Sequence, residues 1–237
     1  MKLNYNLIGE GKETVLFLHG WGANLNSFFM FKNLQNYKLL FVDFPGFGNS
    51  EKLKYSFNVF DYALEIFKLL KKLNILEVNI VCHSFGGRVA ILLETIFNLK
   101  VNKIVFIASA GLKPRFNLKV KLKIISYKLK KLMVKLKLAK FNLNGCGSSD
   151  YVNLNSVEKV TFNKVINFNE KKYLNKIKCP TLLIWGSDDK STPVYMAKIF
   201  NKKIKNSKLI ILKNCNHFCF IQNKSVVIFE VENFLNS

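Results

Sequence analysis

The sequence predicts an α/β fold with a mostly parallel central sheet flanked by helices on both faces. Short apolar runs rich in β-branched and aromatic residues alternate with segments of helical period, the signature of strand, crossover helix and strand. A chain of 237 residues, 49% hydrophobic and 14% aromatic, can bury one substantial core but is short for two independent domains. One lysine-rich stretch, between about Lys113 and Lys176, interrupts the alternation.

Leu3 to Ile8, followed by the Gly9 to Gly11 turn, reads as an antiparallel edge strand. The β-type runs that follow are Thr14 to Leu18, Lys38 to Phe44, Val78 to Cys82, Lys103 to Ala108, Thr181 to Trp185 and Lys208 to Leu212. Between them, Asn58 to Leu73 carries Phe60, Leu64, Phe67 and Leu70 on one helical stripe and reads as a helix. Phe85 to Phe97, Val194 to Ile204 and Ser225 to Leu235 also read as helices. In the interruption, Leu112 to Ser149 holds eleven Lys or Arg and no Asp or Glu. Leu118, Leu122, Ile125, Leu129, Leu132 and Leu136 keep helical spacing there, and Val120, Ile124, Tyr127, Val134 and Leu138 form a second stripe. Such a helix suits a solvated lysine face over a packed apolar one, a lid over a pocket mouth, or contact with an anionic membrane. Gly145, Gly147, Ser148 and Ser149 mark its end.

The formal net charge of +22 invites a nucleic-acid reading, yet of 37 Lys and Arg only Arg88 and Arg115 are arginines. Base and phosphate recognition favours the arginine fork, so no nucleic-acid partner is expected. The first residues hold no apolar h-region with a cleavage site, and no apolar run is long enough to span a bilayer, which predicts a cytoplasmic location. Cys82, Cys146, Cys179, Cys215 and Cys219 are odd in number and scattered, so reduced thiols are expected.

The sharpest local signal is Val81-Cys82-His83-Ser84-Phe85-Gly86-Gly87, where a strand gives way to a helix. A serine on such a turn projects its hydroxyl away from the sheet, and the glycines let the helix pack closely. The Phe85 N–H, at the helix start, is placed to stabilise an oxyanion. Cys82 stands where the GxSxG pattern has its first glycine, so the elbow must accommodate a small side chain there.

Serine needs a base to become a nucleophile, and histidine is the usual one. The chain has three: His83 adjoins Ser84 and should point away from it, and His19 belongs to the His19-Gly20-Trp21-Gly22 turn. His217, after the last strand, remains by elimination. Cys215 and Cys219 flank it, but three clustered ligands without a fourth make a poor zinc site, and no cofactor or metal is expected. The base needs an acid, for which Asp188 and Asp189 compete after the strand ending at Trp185.

At these residues the chain resembles the α/β-hydrolase superfamily over nearly its whole length outside the lysine-rich stretch. The matching motifs are the HGWG turn at 19 to 22, Asp43-Phe44-Pro45-Gly46-Phe47-Gly48-Asn49-Ser50, the elbow at Ser84, the WGxxDxxxP stretch from Trp185 to Pro193, and His217. The resemblance selects Asp189 as the acid of a Ser84, Asp189, His217 triad and implies that the Trp21 N–H joins that of Phe85 in the oxyanion hole. It also implies an α/β-hydrolase core of residues 1–112 and 176–237 with a helical cap inserted at 113–175. The core looks most like capped bacterial esterases and carbon–carbon bond hydrolases. The expected activity is hydrolysis of a small or medium, largely apolar carboxylic ester through an acyl-enzyme; the alternatives are hydrolysis of a meta-cleavage-type dienoate and a ligand-binding protein without turnover.

Overall fold

Seven strands form one sheet in the order β1-β3-β2-β4-β5-β6-β7. They are β1 (Tyr5–Ile8), β2 (Glu13–Leu18), β3 (Tyr37–Val42), β4 (Glu77–His83), β5 (Lys100–Ile107), β6 (Thr181–Gly186) and β7 (Ser207–Leu212). Every pairing is parallel except that of β1 with β3, so the antiparallel edge strand expected at the start of the chain is present. The computed structural model describes residues 1–113, 125–127, 129–130, 132–134, 136, 138 and 153–237.

Six helices are used below: α1 (Val59–Lys72), α2 (Phe85–Thr95), α3 (Ser156–Asn167), α4 (Val194–Lys203), α5 (Cys219–Gln222) and α6 (Lys224–Asn236). Asn58 caps α1, accepting from the Phe60 and Asp61 amides, while the Asp61 carboxylate accepts from the Asn58 N–H. That reciprocal pair satisfies donors the helix cannot, which fixes its first residue. Of the stripe Phe60, Leu64, Phe67 and Leu70, α1 fully buries only Leu70. Tyr62, Ala63, Ile66, Leu69 and Leu70 are buried, whereas Leu64 is exposed and Phe60 and Phe67 are half-buried. Both phenylalanines find partners on the flank, Phe60 against Phe168 and Phe67 against Phe97. Several apolar stripes overlap on this helix, and the one facing α2 and the sheet won.

Side-chain alternation divides the interior into two layers. Leu16, Leu18, Ile80, Cys82, Ile104, Phe106 and Trp185 face α1, α2 and α4. Val15, Phe17, Phe41, Val81, Val105 and Ile184 face the 3-10 segment Leu25–Phe31 and helices α5 and α6. Neither that 3-10 segment nor α5 was expected, because each is too short to show a period. Phe17 anchors the second layer, its ring 4.4 Å from that of Phe41 and 5.6 Å from those of Phe28 and Phe31. β5 begins at Lys100 rather than Lys103, since its first residues pair with Glu77 and Val78 before a shift of register.

Residues 108–180 lie between β5 and β6, which are themselves hydrogen-bonded neighbours, so this segment is an insertion between adjacent parallel strands. Its expected helical stripes fall partly on Leu118, Val120, Leu122 and Ile124, and its expected end on Gly145 to Ser149; these lie outside the described residues. Among the described residues no helix is long and apolar enough to cross a membrane. Cys82, Cys179, Cys215 and Cys219 are buried free thiols, and Cys146 lies outside the described residues.

Removing the Phe17 ring leaves a void walled by three aromatic rings. Phe17→Ala is expected to destabilise the protein by about 3 to 5 kcal/mol in urea unfolding; a loss below about 1 kcal/mol would contradict this account of the layer.

Candidate active site

At the end of β4 the backbone turns sharply, with Ser84 at φ 48° and ψ −111°. A left-handed conformation costs a side-chain-bearing residue about 1 to 3 kcal/mol, so its surroundings must impose it. Hydrogen bonds on both sides do so: the Ser84 N–H donates to the Ile107 carbonyl at 3.1 Å, and its own carbonyl accepts from Gly87 at 3.1 Å and Ala110 at 2.9 Å. The glycines are required by space. A Cβ on Gly86 would run into the Leu18 carbonyl oxygen, and one on Gly87 into the Ser109 hydroxyl. Cys82, near the end of β4 itself, is fully buried, with its thiol donating to the Val105 carbonyl of β5.

The turn delivers Ser84 Oγ to 3.0 Å from His217 Nε2, and His217 Nδ1 lies 2.9 Å from Asp189 Oδ2. The three side chains come from the ends of β4, β6 and β7, 105 and 28 residues apart along the chain in the order Ser, Asp, His. Asp189 is the carboxylate that takes part. Asp188 is exposed and accepts from the Ser187 hydroxyl instead. The Asp189 side chain is 0% exposed and that of His217 15%, so the carboxylate is sealed while the imidazole reaches the pocket. Oδ1 of Asp189 accepts from the Ser191 and Thr192 amides, and the Thr192 hydroxyl lies 2.8 Å from Oδ2. Burial works to raise this carboxyl, but the hydrogen bonds from His217 and Thr192 outweigh it and hold the pKa below the ordinary value. Thr192 was not anticipated; the only hint was its place inside the WGxxDxxxP stretch.

The other two histidines are buried and structural. His19 accepts the Phe44 N–H at Nε2 (3.1 Å), which leaves the proton on Nδ1 to donate to the Gly20 carbonyl at 2.7 Å. This tautomer locks the turn carrying Trp21 onto the Asp43 segment. Burial pushes its pKa down to about 4. Beside it, Asp43 accepts from the Leu25 and Asn49 amides and the Asn4 side chain, which accounts for its motif in structural terms. His83 packs against the His217 ring and has its Nε2 donating to the His217 carbonyl at 3.0 Å. Burial, together with His217 nearby, lowers its pKa to about 3. Both rings are therefore neutral near pH 7.

Ser84 and His217 open into a cavity of about 440 Å³. Trp21 and Phe85 line it beside Ser84, and among the described residues neither amide donates to a backbone carbonyl. The walls are mostly apolar, with Phe162, Val165 and Ile166 contributed by α3. The Phe162 ring meets that of Trp21 at 5.2 Å. Arg88 is the one cationic side chain among the described lining residues, and it is already paired: its Nη1 donates to Glu170 Oε2 at 2.6 Å and to the Phe168 carbonyl at 2.8 Å. Burial raises the Glu170 carboxyl to about 7 against the opposing pull of Arg88. No spacing rule links residues 82 positions apart, so this pair left no trace in the sequence. Among the described residues no three His, Cys, Asp or Glu side chains gather as a metal site.

The family model described as the alpha/beta hydrolase fold matches residues 13–150 and 148–224. The chain belongs to the α/β-hydrolase family. A 2-hydroxy-6-oxononadienedioate/2-hydroxy-6-oxononatrienedioate hydrolase from Paraburkholderia phymatum is 26% identical over 247 positions, covering 92% of this chain and 85% of that protein. A protein of the same name from Klebsiella pneumoniae is 26% identical over 253 positions, with the same shares. Among solved structures, an esterase from Exiguobacterium antarcticum superposes with a TM-score of 0.77 at 21% identity, covering 99% of this chain and 96% of that one. A meta-cleavage product hydrolase from Pseudomonas fluorescens gives 0.75 at 18% identity, over 99% and 94%. These two share the α/β-hydrolase fold with this chain.

The neutral His19 generates a pH dependence whose sign is fixed. Its folded pKa, about 4, lies below the ordinary 6.5, so between these values the unfolded state binds a proton that the folded state refuses, and stability falls as pH falls. His19→Asn removes this contribution. Urea unfolding of the variant between pH 6 and 4.5 should show a slope shallower than the parent's by about 1 kcal/mol per pH unit; identical slopes would place His19 in solvent contact.

Proposed function

We propose that this protein is a serine hydrolase in which Ser84 attacks a carbonyl carbon, His217 takes the hydroxyl proton, and Asp189 holds the imidazole in the required tautomer and stabilises its cation. The observation that carries the proposal is the pair of contacts at 3.0 and 2.9 Å linking Ser84, His217 and Asp189 in series. Negative charge on the former carbonyl oxygen would be met by the Phe85 and Trp21 N–H groups, the first also favoured by the positive end of α2. Collapse of the adduct expels the leaving group, which takes the proton from His217; water, deprotonated by the same ring, then frees the acyl group from Ser84 Oγ. Residues 113–175 act as a cap in this reading, supported by the three α3 side chains that line the cavity.

For the substrate, the curated relatives favour carbon–carbon bond hydrolysis over the ester reading. Their names specify dienedioates and trienedioates that carry a 6-oxo group; attack by Ser84 on such a ketone would break the adjacent carbon–carbon bond and leave a carbon stabilised by conjugation. An ester remains the second reading for a specific reason. A dienedioate carries two carboxylates, and the cation among the described pocket residues already has Glu170 as its counter-ion. A largely apolar acyl group needs no such partner.

Ser84→Ala is expected to lower turnover by about 10⁴- to 10⁶-fold and to abolish labelling by a fluorophosphonate probe, with the melting curve kept in place. Undiminished turnover would remove Ser84 from the mechanism. Rates on short p-nitrophenyl esters compared with a 2-hydroxy-6-oxo-dienoate would separate the two substrate classes, and failure on both together with no labelling would favour a binding protein.

A further inference from the structure

The lysine-rich insertion presents a surface that the hydrolase site does not use. The described residues of 125–134 are helical, and the Leu136 N–H bonds the Leu132 carbonyl at 2.9 Å. Ile125, Leu129, Leu132 and Leu136 follow one another at steps of four, three and four, and so share a helix face. Each is 50 to 56% exposed, and Leu138 beyond them is 71% exposed. A row of four half-exposed aliphatic side chains is costly to leave in water, and so short a helix has little stability of its own.

The charge of the sequence around this row bears on what covers it. Residues Leu112 to Ser149 carry eleven cationic side chains and not one carboxylate. A second copy of the chain would set this charge against itself, on a protein of net charge +22. Nucleic acid would satisfy the lysines but not the leucines. An anionic lipid surface answers both: its headgroups attract the lysines, at a gain for each that dies away within a Debye length, and its acyl boundary takes the aliphatic row.

We propose that the segment carrying Ile125, Leu129, Leu132 and Leu136 docks in the plane of an anionic lipid bilayer, with these four side chains entering the acyl boundary. The inference is independent of the proposed chemistry at Ser84, because none of these four residues lines the active-site cavity.

The test uses the full chain and sedimentation with phosphatidylcholine vesicles, with and without phosphatidylglycerol at about one third. Binding is expected only with the anionic lipid, and raising salt from about 50 to 500 mM should weaken it at least tenfold. The triple variant Leu129→Ser, Leu132→Ser, Leu136→Ser should lose at least about tenfold in partition at low salt while its melting temperature and net charge stay unchanged. Three results would each overturn the proposal: no sedimentation with anionic vesicles at low salt, equal binding by the triple variant, or a dimer in analytical ultracentrifugation that the triple variant abolishes.

Discussion

One strained peptide organises the site. Ser84 occupies a backbone conformation that side-chain-bearing residues avoid, and it stays there because the carbonyl of β5 holds its N–H while two amides hold its carbonyl. The turn could not close around larger neighbours, since Gly86 abuts the carbonyl of Leu18 and Gly87 the hydroxyl of Ser109. The consequence is local and chemical. The Ser84 hydroxyl stands clear of the sheet at the mouth of a cavity, where an imidazole from another loop can reach it.

Around this turn, buried polar groups work as fixed struts. His19, neutral and with its tautomer set by the Phe44 amide, ties the Trp21 turn to the Asp43 segment. His83 supports the His217 backbone from below, and Asp189 spends its remaining acceptor capacity on the two amides of its own turn. The loop carrying His217 is pinned in turn, because the Asp188 N–H bonds the Cys215 carbonyl and the Asn216 N–H bonds Gln222. Each strut satisfies a group that burial would otherwise leave costly, so the demands of the interior and of the site coincide.

The insertion is of a different character. It meets the core through Phe162 on Trp21, through the Phe57 N–H donated to Thr161, and through the Arg88 to Glu170 ion pair, which joins the elbow helix to the segment after α3. Of these residues Trp21, Phe162 and Arg88 line the cavity. The aliphatic row of Ile125, Leu129, Leu132 and Leu136, by contrast, stays half-exposed to solvent.

The amino-acid order by itself determined the sheet and singled out the Ser84, His217 and Asp189 side chains that the fold brings together. Strand alternation, helical period and turn chemistry act over a few residues, and the elbow, the HGWG turn and the WGxxDxxxP stretch are each contiguous. Only the tertiary structure decided which face of α1 is buried, since several apolar stripes overlap there and the choice is made by the surfaces it meets. It also decided between Asp188 and Asp189 in terms of geometry, turned one carboxylate toward His217 and left the other in water. The pairing of Arg88 with Glu170 and the support that Thr192 gives Asp189 were likewise settled in space: they depend on a three-dimensional approach that no local period encodes.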